Sequence, residues 1–308
     1  MAHTPPSGRQ HRIAHRGQEA VITEVGGDLR RYTVDGRDVI DGYGEDEMRT
    51  VGRGMPLLPW PNRIEDGSYE FLGQTYQTAL TEPARHNALH GLTQWMPWNG
   101  TDQQPDAVTM TLLLHPQEGY PFTLSLAIQY QLSDDGLTVR TTATNIGDRP
   151  APYGTGQHPY FTVGTDLINQ AWLRLPALLR MEANDRLIPT GRLIPVKGTA
   201  FDFVEGRLIG AISMDTAFAS VVPDADGITR VVMQAPNGGR RLTLWMEKPY
   251  EYLMVYTGDT IPDKRRRRKG IAIEPITCAP NAFRTGLGLI ILEPSKSMTT
   301  RWGVLARG

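Results

Sequence analysis

The sequence has little of the chemistry from which disulfide-linked and zinc-binding proteins are built. Cys278 is the single cysteine among 308 residues, which excludes an internal disulfide and any zinc site made of several thiolates. Residues 1–12 contain no apolar segment of the kind found in secretion signals, and the apolar stretch Leu287–Leu292 is far too short to span a bilayer. We therefore expect a cytoplasmic protein.

An excess of charge of either sign is also missing. The 32 Lys and Arg residues nearly balance the 33 Asp and Glu residues, for a formal net charge of -1, so no overall field attracts nucleic acid or an anionic membrane. The one basic run, Lys264–Lys269, is interpreted as a solvated loop. The expected partner is a small, near-neutral molecule, and the chain is expected to be a monomer or a homodimer.

Long helical patterns are absent, and alternating patterns take their place. No window of helical length keeps a 3.6-residue apolar period without an interrupting glycine or proline, of which there are 32 and 23. Apolar residues alternate with polar ones from Phe122 to Leu132, a turn signal follows at Asp134 to Gly136, and the alternation then resumes at Leu137, which predicts a long β-hairpin. Further strands are predicted at Ala20–Val25, Tyr69–Tyr76, Val108–Leu114, Arg230–Ala235, Arg241–Met246, Tyr252–Thr257 and Ile271–Glu274.

Many short strands separated by turns predict an all-β fold, a large antiparallel β-sandwich. The chain is longer than most single domains, but all-β sandwiches of roughly 200–250 residues often form one domain. We predict a flexible N-terminal tail at residues 1–14 and a single β-sandwich domain at residues 15–308.

Two early segments interrupt the strand pattern with polar residues. In Leu58–Ile64 two prolines surround an indole and an arginine, so a rigid loop would present Asn62 and Arg63 to a hydroxylated ligand. An alternative is a proline-rich turn in which the stem of Arg63 packs over Trp60. Both interpretations are compatible with the residues alone.

The second segment, Arg85–Leu92, contains His86 and His90 and is followed by Trp95 and Trp98. A metal site is disfavoured because the residues between and after the histidines weaken a helix and include no glutamate. The remaining interpretations are a structural histidine, or His90 in a polar hollow with Trp95 or Trp98 covering the apolar face of a sugar.

Two later segments carry a histidine and a carboxylate. In Tyr153–Phe161 small residues allow a close backbone approach, and Pro159 would hold His158 extended, although a solvated loop histidine fits equally. Glu274 ends an apolar run just before a proline; it is either edge protection or a partly desolvated base with a raised pKa. Cys278 has no histidine beside it to activate it as a nucleophile.

Taken in order, these segments resemble one known family. The resemblance to the aldose 1-epimerase (galactose mutarotase-like) family covers nearly the whole chain after the tail. It is carried by Pro59-Trp60-Pro61-Asn62-Arg63-Ile64, Leu89-His90-Gly91-Leu92, Gly156-Gln157-His158-Pro159-Tyr160-Phe161, Tyr256-Thr257-Gly258 and Glu274-Pro275. The resemblance implies a large antiparallel β-sandwich with an open cleft on one sheet, which binds a free aldose without a metal ion, nucleotide or other cofactor.

The resemblance also implies roles for individual residues. Glu274 would be the general base and His158 the general acid, while His90, Arg63 and Asp215 would bind the sugar. Asn62 and Trp95 complete the expected binding set.

The expected reaction opens the sugar ring and closes it on the other face of the aldehyde, so one base and one acid suffice. A carboxylate is ready as a base at neutral pH, whereas an imidazole needs a neighbouring carboxylate to stay protonated. Two alternatives are left open: a hexose-6-phosphate 1-epimerase, with Arg63 or the basic run taking the phosphate, and a sugar-binding domain without catalysis.

Overall fold

The structure is a computed structural model, and it describes residues 4–308. Residues 1–3, the start of the predicted tail, lie outside the described residues. The strands are β1 Gln10–His15, β2 Gln18–Thr23, β3 Leu29–Val34, β4 Arg37–Asp38, β5 Pro56–Leu57, β6 Arg63–Glu65, β7 Ser68–Phe71, β8 Gln74–Gln77, β9 Asn87–Leu89, β10 Asn99–Thr101, β11 Ala107–Leu114, β12 Leu124–Ser133, β13 Gly136–Asn145, β14 Ala151–Tyr153, β15 Gly156–Gln157, β16 Tyr160–Phe161, β17 Trp172–Arg174, β18 Ala177–Ala183, β19 Pro189–Pro195, β20 Arg207–Leu208, β21 Asp215–Val221, β22 Thr229–Gln234, β23 Arg241–Met246, β24 Tyr252–Tyr256, β25 Ile271–Ile276, β26 Ile290–Leu292 and β27 Ser297–Arg307.

Helical segments are few and short. One α-helix spans Ala282–Thr285, and single 3₁₀ turns lie at Pro83–Arg85, Ile168–Gln170, Pro236–Gly238 and Lys264–Arg266. Within residues 4–308 no helix is long and apolar enough to cross a membrane.

Two large antiparallel sheets dominate the fold, which confirms the all-β prediction. The first has nine strands in the order β10-β11-β12-β13-β27-β23-β22-β17-β20. The second has eight strands: seven follow the order β19-β18-β21-β24-β25-β15-β5, and β16 also pairs with β25. β1 to β4 form a separate four-stranded sheet, and three further strand pairs complete the described structure.

The predicted long hairpin is present. β12 and β13 pair from Leu124 opposite Asn145 to Ser133 opposite Gly136, and glycine at the turn supplies the positive φ that a tight hairpin requires. The Tyr69–Tyr76 prediction is wrong as a single strand. β7 and β8 form a hairpin there, because Leu72 and Gly73 both adopt positive φ and reverse the chain.

The predicted tail of residues 1–14 is too long. β1 already takes up residues 10–15 and pairs with β2, and Ile13 is buried in the main core with 1 % of its surface exposed. The strand forms because its alternate residues face the core. In the sequence this alternation is too short to distinguish the strand from a polar terminus. The rest of the domain division stays a prediction.

The core lies on one side of the eight-stranded sheet, and the other side carries a different set of residues. Along β24, Leu253 and Val255 belong to the main core, whereas Met254 and Tyr256 face the opposite side. This alternation follows from the two-residue period of a strand. Burying a side chain of the size of Leu253 or Val255 stabilises the fold by about 1.5–3 kcal/mol. The core side of the sheet supplies this stabilisation, so the side that faces away from the core can carry polar groups.

Candidate functional site

Strand register brings His158 and Glu274 together. β25 pairs with β15 at Gly156 opposite Ile276, and with β16 at Tyr160 opposite Ala272. The same register places His158, between β15 and β16, directly opposite Glu274. Pro159 has no N–H to donate to the ladder, which is consistent with the interruption of the strand at this point.

The two side chains meet in a buried environment. Nε2 of His158 lies 3.3 Å from Oε1 of Glu274, and the side chains expose 7 % and 2 % of their surface. Among the described residues, Oε2 of Glu274 has no hydrogen-bond partner. The open cleft that the resemblance implies stays a prediction, but a buried carboxylate oxygen without a partner is a ready acceptor for a ligand hydroxyl.

The protonation of this pair follows from burial. Burial raises the pKa of Glu274 well above its usual value, and the charge of Asp215 adds to the rise while Arg63 opposes it. Burial also lowers the pKa of His158 to about 3, helped by the positive charges of Arg49, Arg53 and Arg63. Desolvation and three guanidinium groups thus favour the neutral imidazole when no ligand is bound, and the expectation that the carboxylate keeps His158 protonated stays a prediction.

The ring of His158 is held by packing on two sides. The ring of Tyr160 stacks against it at 5.1 Å between centroids and 16° between planes. Gly52 has a φ of +75°, and a Cβ there would lie 2.9 Å from Cδ2 of His158. A side chain at position 52 would displace the imidazole, so only glycine fits.

His90 lies beside His158 and is held by Asn62. Its ring makes an edge contact with His158 at 5.4 Å between centroids. The backbone N–H of Asn62 donates to Nδ1 of His90 at 3.1 Å, and the backbone N–H of His90 donates to the carbonyl oxygen of Asn62 at 2.8 Å. Because burial lowers the pKa of His90 well below its usual value and Nδ1 accepts, the proton of the neutral ring is assigned to Nε2. His90 is thereby prepared as a hydrogen-bond donor.

A glycine allows the His90 segment to approach the proline-rich loop. Gly91 has a φ of +74°, and a Cβ there would lie 1.9 Å from the carbonyl oxygen of Leu58. The backbone N–H of Leu92 donates to that same oxygen at 2.7 Å. The two early polar segments of the sequence therefore form one rigid unit, with Trp60 buried behind it.

Arg63 is held by a carboxylate that sequence reasoning missed. Its Nε and Nη2 donate to the two carboxylate oxygens of Glu82 at 2.8 and 3.0 Å, the bidentate geometry typical of a strong arginine–carboxylate pair. Asn87 and Arg85 also donate to Glu82 at 3.0 Å. Although burial alone would raise the pKa of Glu82, these donors lower it. No local pattern marks Glu82, because its partner Arg63 lies on another segment.

The Asn62 side chain forms hydrogen bonds with Arg63. Its Oδ1 accepts from the backbone N–H of Arg63 at 3.0 Å and from Nη1 at 3.4 Å, and the residue is 2 % exposed. The alternative in which Arg63 packs its stem over Trp60 as part of a simple turn does not account for these contacts. Asn62 instead connects Arg63 to His90.

Asp215 shares a sheet face with Glu274. It begins β21 opposite Tyr256, while Ala217 pairs with Met254 and Met254 pairs with Glu274. Residues directly opposite in antiparallel strands point to the same side, so both carboxylates project from one face. Burial raises the pKa of Asp215, and the charge of Arg63 opposes the rise. The structure thus brings together the residues to which the resemblance gave roles in sugar binding and catalysis, namely Arg63, His90, His158, Asp215 and Glu274.

The two tryptophans have different environments. Trp98 is 1 % exposed and packs against Gly27 in the core, which rules it out as a wall for a sugar. Trp95 is 53 % exposed, and the guanidinium of Arg49 lies 4.4 Å from its ring centroid. Arg49 also acts on the pKa values of both site histidines, so Trp95 is connected to the site through Arg49.

The remaining candidate groups lie outside the site. His86 is exposed and its Nδ1 lies 2.9 Å from a carboxylate oxygen of Asp66, whereas His90 is buried, so the two histidines do not share a ligand. Cys278 is buried, and burial raises its pKa to about 12, which leaves it unreactive as a thiolate. Residues 4–308 contain no group of three or more His, Cys, Asp or Glu side chains that could hold a metal ion.

The basic run Lys264–Lys269 is the solvated loop that the sequence suggested only at its start, where Lys264 and Arg265 are exposed, while the other four residues are half-buried. Five of its six side chains bond within the chain: Arg265 to Asp263, Arg266 to Glu47, Arg267 to the carbonyl of Ile261, Arg268 to Asp259 and Asn169, and Lys269 to Asp166. Arg268 is only 13 % exposed. The run fails as a free anion-binding patch because its cations neutralise neighbouring carboxylates, which a count of charges along the chain does not reveal.

Comparison with known proteins supports the same fold and places the chain in a known family. The family model described as aldose 1-epimerase matches residues 9–303. The chain is 32% identical over 291 residues to the uncharacterized protein YihR of Escherichia coli, covering 94% of this chain and 91% of that protein. It is 26% identical over 255 residues to the maltose epimerase of Levilactobacillus brevis, covering 76% and 73%.

A solved structure has the same fold over nearly the full length. A GalM/aldose epimerase homologue from C. elegans superposes with a TM-score of 0.86 at 20% identity, covering 97% of this chain and 98% of that chain. Together with the family match over most of the sequence, this means that the chain belongs to the aldose 1-epimerase family of isomerases.

Proposed function

We propose that this protein interconverts the α and β anomers of a free aldohexose, with Glu274 and His158 as its acid/base pair. The observation that carries the proposal is the 3.3 Å separation between Oε1 of Glu274 and Nε2 of His158 on a sheet face that also presents Asp215. Opening a sugar ring requires one proton to leave the anomeric hydroxyl and another to reach the ring oxygen. A carboxyl and an imidazole that face one ring can do both.

The pair needs a single proton between its two members. If the proton is on Glu274, that carboxyl protonates the ring oxygen while neutral His158 accepts the proton of the anomeric hydroxyl. If it is on His158, the roles are those implied by the resemblance, with Glu274 as the base. Ring closure returns the protons, so each residue acts as acid in one half of the reaction and as base in the other.

Burial decides where the proton rests before the sugar binds. Since burial raises the pKa of Glu274 and lowers that of His158, the uncharged pair is favoured, with the proton on Glu274. Keeping both groups neutral avoids the cost of an isolated charge in a desolvated site. When a sugar binds, its hydroxyls form the hydrogen bonds that allow Glu274 and His158 to become charged.

The other site residues have distinct proposed tasks. His90 donates from Nε2 to a sugar oxygen. Arg63, which Glu82 holds in place, can donate to the sugar the Nη1 hydrogen that Asn62 does not accept, and it adds a positive charge. Asp215 accepts from sugar hydroxyls. Asn62 acts through Arg63 and His90 and determines their positions, and Trp95 offers an exposed ring at the edge of the site that can cover the apolar face of a sugar.

Phosphate recognition is not supported at this site. Arg63 already has a bidentate carboxylate partner, and most side chains of the basic run bond within the fold. We therefore favour an unphosphorylated aldose over a hexose 6-phosphate. The related maltose epimerase indicates that the family includes members named for a disaccharide, so the sugar must be found by assay; the cytoplasmic location likewise stays a prediction.

Polarimetry tests the proposal directly. Freshly dissolved α-D-glucose, α-D-galactose, maltose and glucose 6-phosphate are followed to anomeric equilibrium in buffer containing EDTA, with and without the purified chain. We expect acceleration for at least one unphosphorylated sugar and no requirement for added metal. Rates equal to buffer for every sugar would contradict the proposal, and acceleration confined to the 6-phosphate would replace it with the phosphosugar alternative.

A further inference from the structure

The outer face of the nine-stranded sheet carries a group of arginines far from the chemistry of the site described above. A hollow of about 410 Å³ is lined by arginines from four neighbouring strands. They are Arg174 on β17, Arg230 on β22, Arg241 on β23 and Arg307 on β27. The lining is completed by Asp224, Val232, Thr243 and Leu305.

Strand register defines the shape of this arginine hollow. Val232 lies opposite Thr243, and Thr243 lies opposite Leu305, so these three residues form an uncharged row across the floor. Arg174 continues the same row on β17. Arg241 pairs directly with Arg307. This pair lies two residues away from Thr243 and Leu305 on the same two strands. Adjacent strands lie about 4.8 Å apart, so long side chains from this rim can meet over the floor.

Charges at the hollow are unbalanced. Arg230 is held by carboxylates, with Nη1 at 2.8 Å from Asp224 and Nη2 at 2.6 Å from Asp226. The structure of residues 4–308 gives no ion pair or side-chain hydrogen bond to Arg174, Arg241 or Arg307. Like charges directly opposite each other in a sheet are destabilising, and the one carboxylate in the lining, Asp224, is paired with Arg230 instead of Arg241 or Arg307.

The surroundings limit the size of a partner. The same outer face carries Gln234 beside Arg241 and Trp245 opposite Arg230, and Asp226 borders the hollow through Arg230. Neutral or acidic neighbours on these sides interrupt the positive surface, which a nucleic acid duplex or an acidic protein surface would need over a longer distance. A concave floor with arginines around it is suited to a compact ligand instead.

We propose that this arginine hollow is a binding site for a small organic polyanion that carries at least two phosphate or carboxylate groups. Arg241 and Arg307 together bind one anionic group, since the planar guanidinium matches the oxygens of phosphate and carboxylate. Arg174 binds the second group, and Arg230 borders it in a position already set by its two aspartates. The site is independent of anomer interconversion, because its side chains point away from the core on the opposite large sheet from Glu274.

Calorimetric titration of the whole chain with inorganic pyrophosphate tests this site. At constant ionic strength we expect saturable one-to-one binding of pyrophosphate, with weaker binding of orthophosphate. The triple variant Arg174→Gln/Arg241→Gln/Arg307→Gln should bind at least tenfold more weakly. Arg192→Gln is the matched control, because Arg192 is an exposed arginine paired with Glu182 elsewhere on the surface, and it should bind pyrophosphate as the parent chain does.

A second variant keeps the test independent of the stability of the triple variant. Thr243→Glu places a carboxylate among the arginines, so it should abolish pyrophosphate binding and raise the melting temperature at low salt. Anomer interconversion should be unchanged in all variants. Pyrophosphate binding no stronger than that of chloride, or binding by the triple variant or Thr243→Glu equal to that of the parent chain, would overturn the proposal.

Discussion

Oε1 of Glu274 lies 3.3 Å from Nε2 of His158, and the register of β25 with β15 and β16 places the two residues opposite each other. Glu274 lies on β25, and His158, in the short break between β15 and β16, is fixed by backbone hydrogen bonds with Gly54 and Met55. Catalytic groups on strands are positioned more accurately than groups on loops.

Removing either member of the pair should lower turnover with little effect on sugar binding. Glu274→Gln and His158→Asn keep a polar side chain of similar size but cannot exchange the required proton, so each should lower kcat by roughly 10²–10⁴-fold. Because both residues act on the same proton transfers, the double variant should fall well short of the product of the two losses. Stopped polarimetry gives the rates, and near-normal turnover by Glu274→Gln would refute the assignment.

The pH profile should be shifted away from ordinary histidine behaviour. Activity requires one proton on the pair, and the second proton must add to His158, whose pKa is lowered to about 3 by burial and nearby arginines. The acid limb should therefore lie well below pH 6.5. Loss of the last proton comes from Glu274, whose pKa is raised by burial, so the alkaline limb should lie above the usual carboxyl range. Measuring kcat/KM, which reports the pKa values of the free enzyme, between pH 4 and 9 checks the profile; activity that is lost on acidification through pH 6.5, as for an ordinary histidine, would contradict this result.

Asp215 should affect both sugar binding and the alkaline limb. Its negative charge helps to raise the pKa of Glu274, so Asp215→Asn should lower that pKa and move the alkaline limb to lower pH. Loss of the charged acceptor should also raise KM. Asp134→Asn is a suitable control, because Asp134 is 62% exposed and pairs with surface residues. An unchanged limb in Asp215→Asn would mean that the two carboxylates are not coupled.

Glu82 should act on the sugar through Arg63. Glu82→Gln leaves one acceptor oxygen for the guanidinium instead of two, so Arg63 should become less well ordered and KM should rise, while kcat changes less. Glu82→Asp, which retains the charge, should restore part of the affinity. Glu182→Gln removes a similar pair with the exposed Arg192 and should leave KM unchanged. A fall in kcat with constant KM in Glu82→Gln would show that this carboxylate has another role.

Much of this protein was predictable from local patterns. The alternation around Asp134 to Gly136 predicted a hairpin that is present, because the two-residue period is a property of each strand by itself. The polar segments that interrupt the strands contain Arg63, His90, His158 and Glu274, and the structure brings all four together. They were recognisable because polar residues beside prolines and glycines differ from both core strands and ordinary turns.

Other features depended on contacts between distant segments, and only the tertiary structure decided them. Glu82 becomes the partner of Arg63 because β6 pairs with β9 and Glu82 forms a bridge with Asn87 of β9. Trp98, unlike Trp95, is buried, and it packs against Gly27. The lowered pKa of His158 results from desolvation and from arginines on other segments. A local pattern encodes the direction of a side chain along its own strand, but burial and electrostatic coupling are sums over neighbours in space, and these exist only once the sheets have assembled.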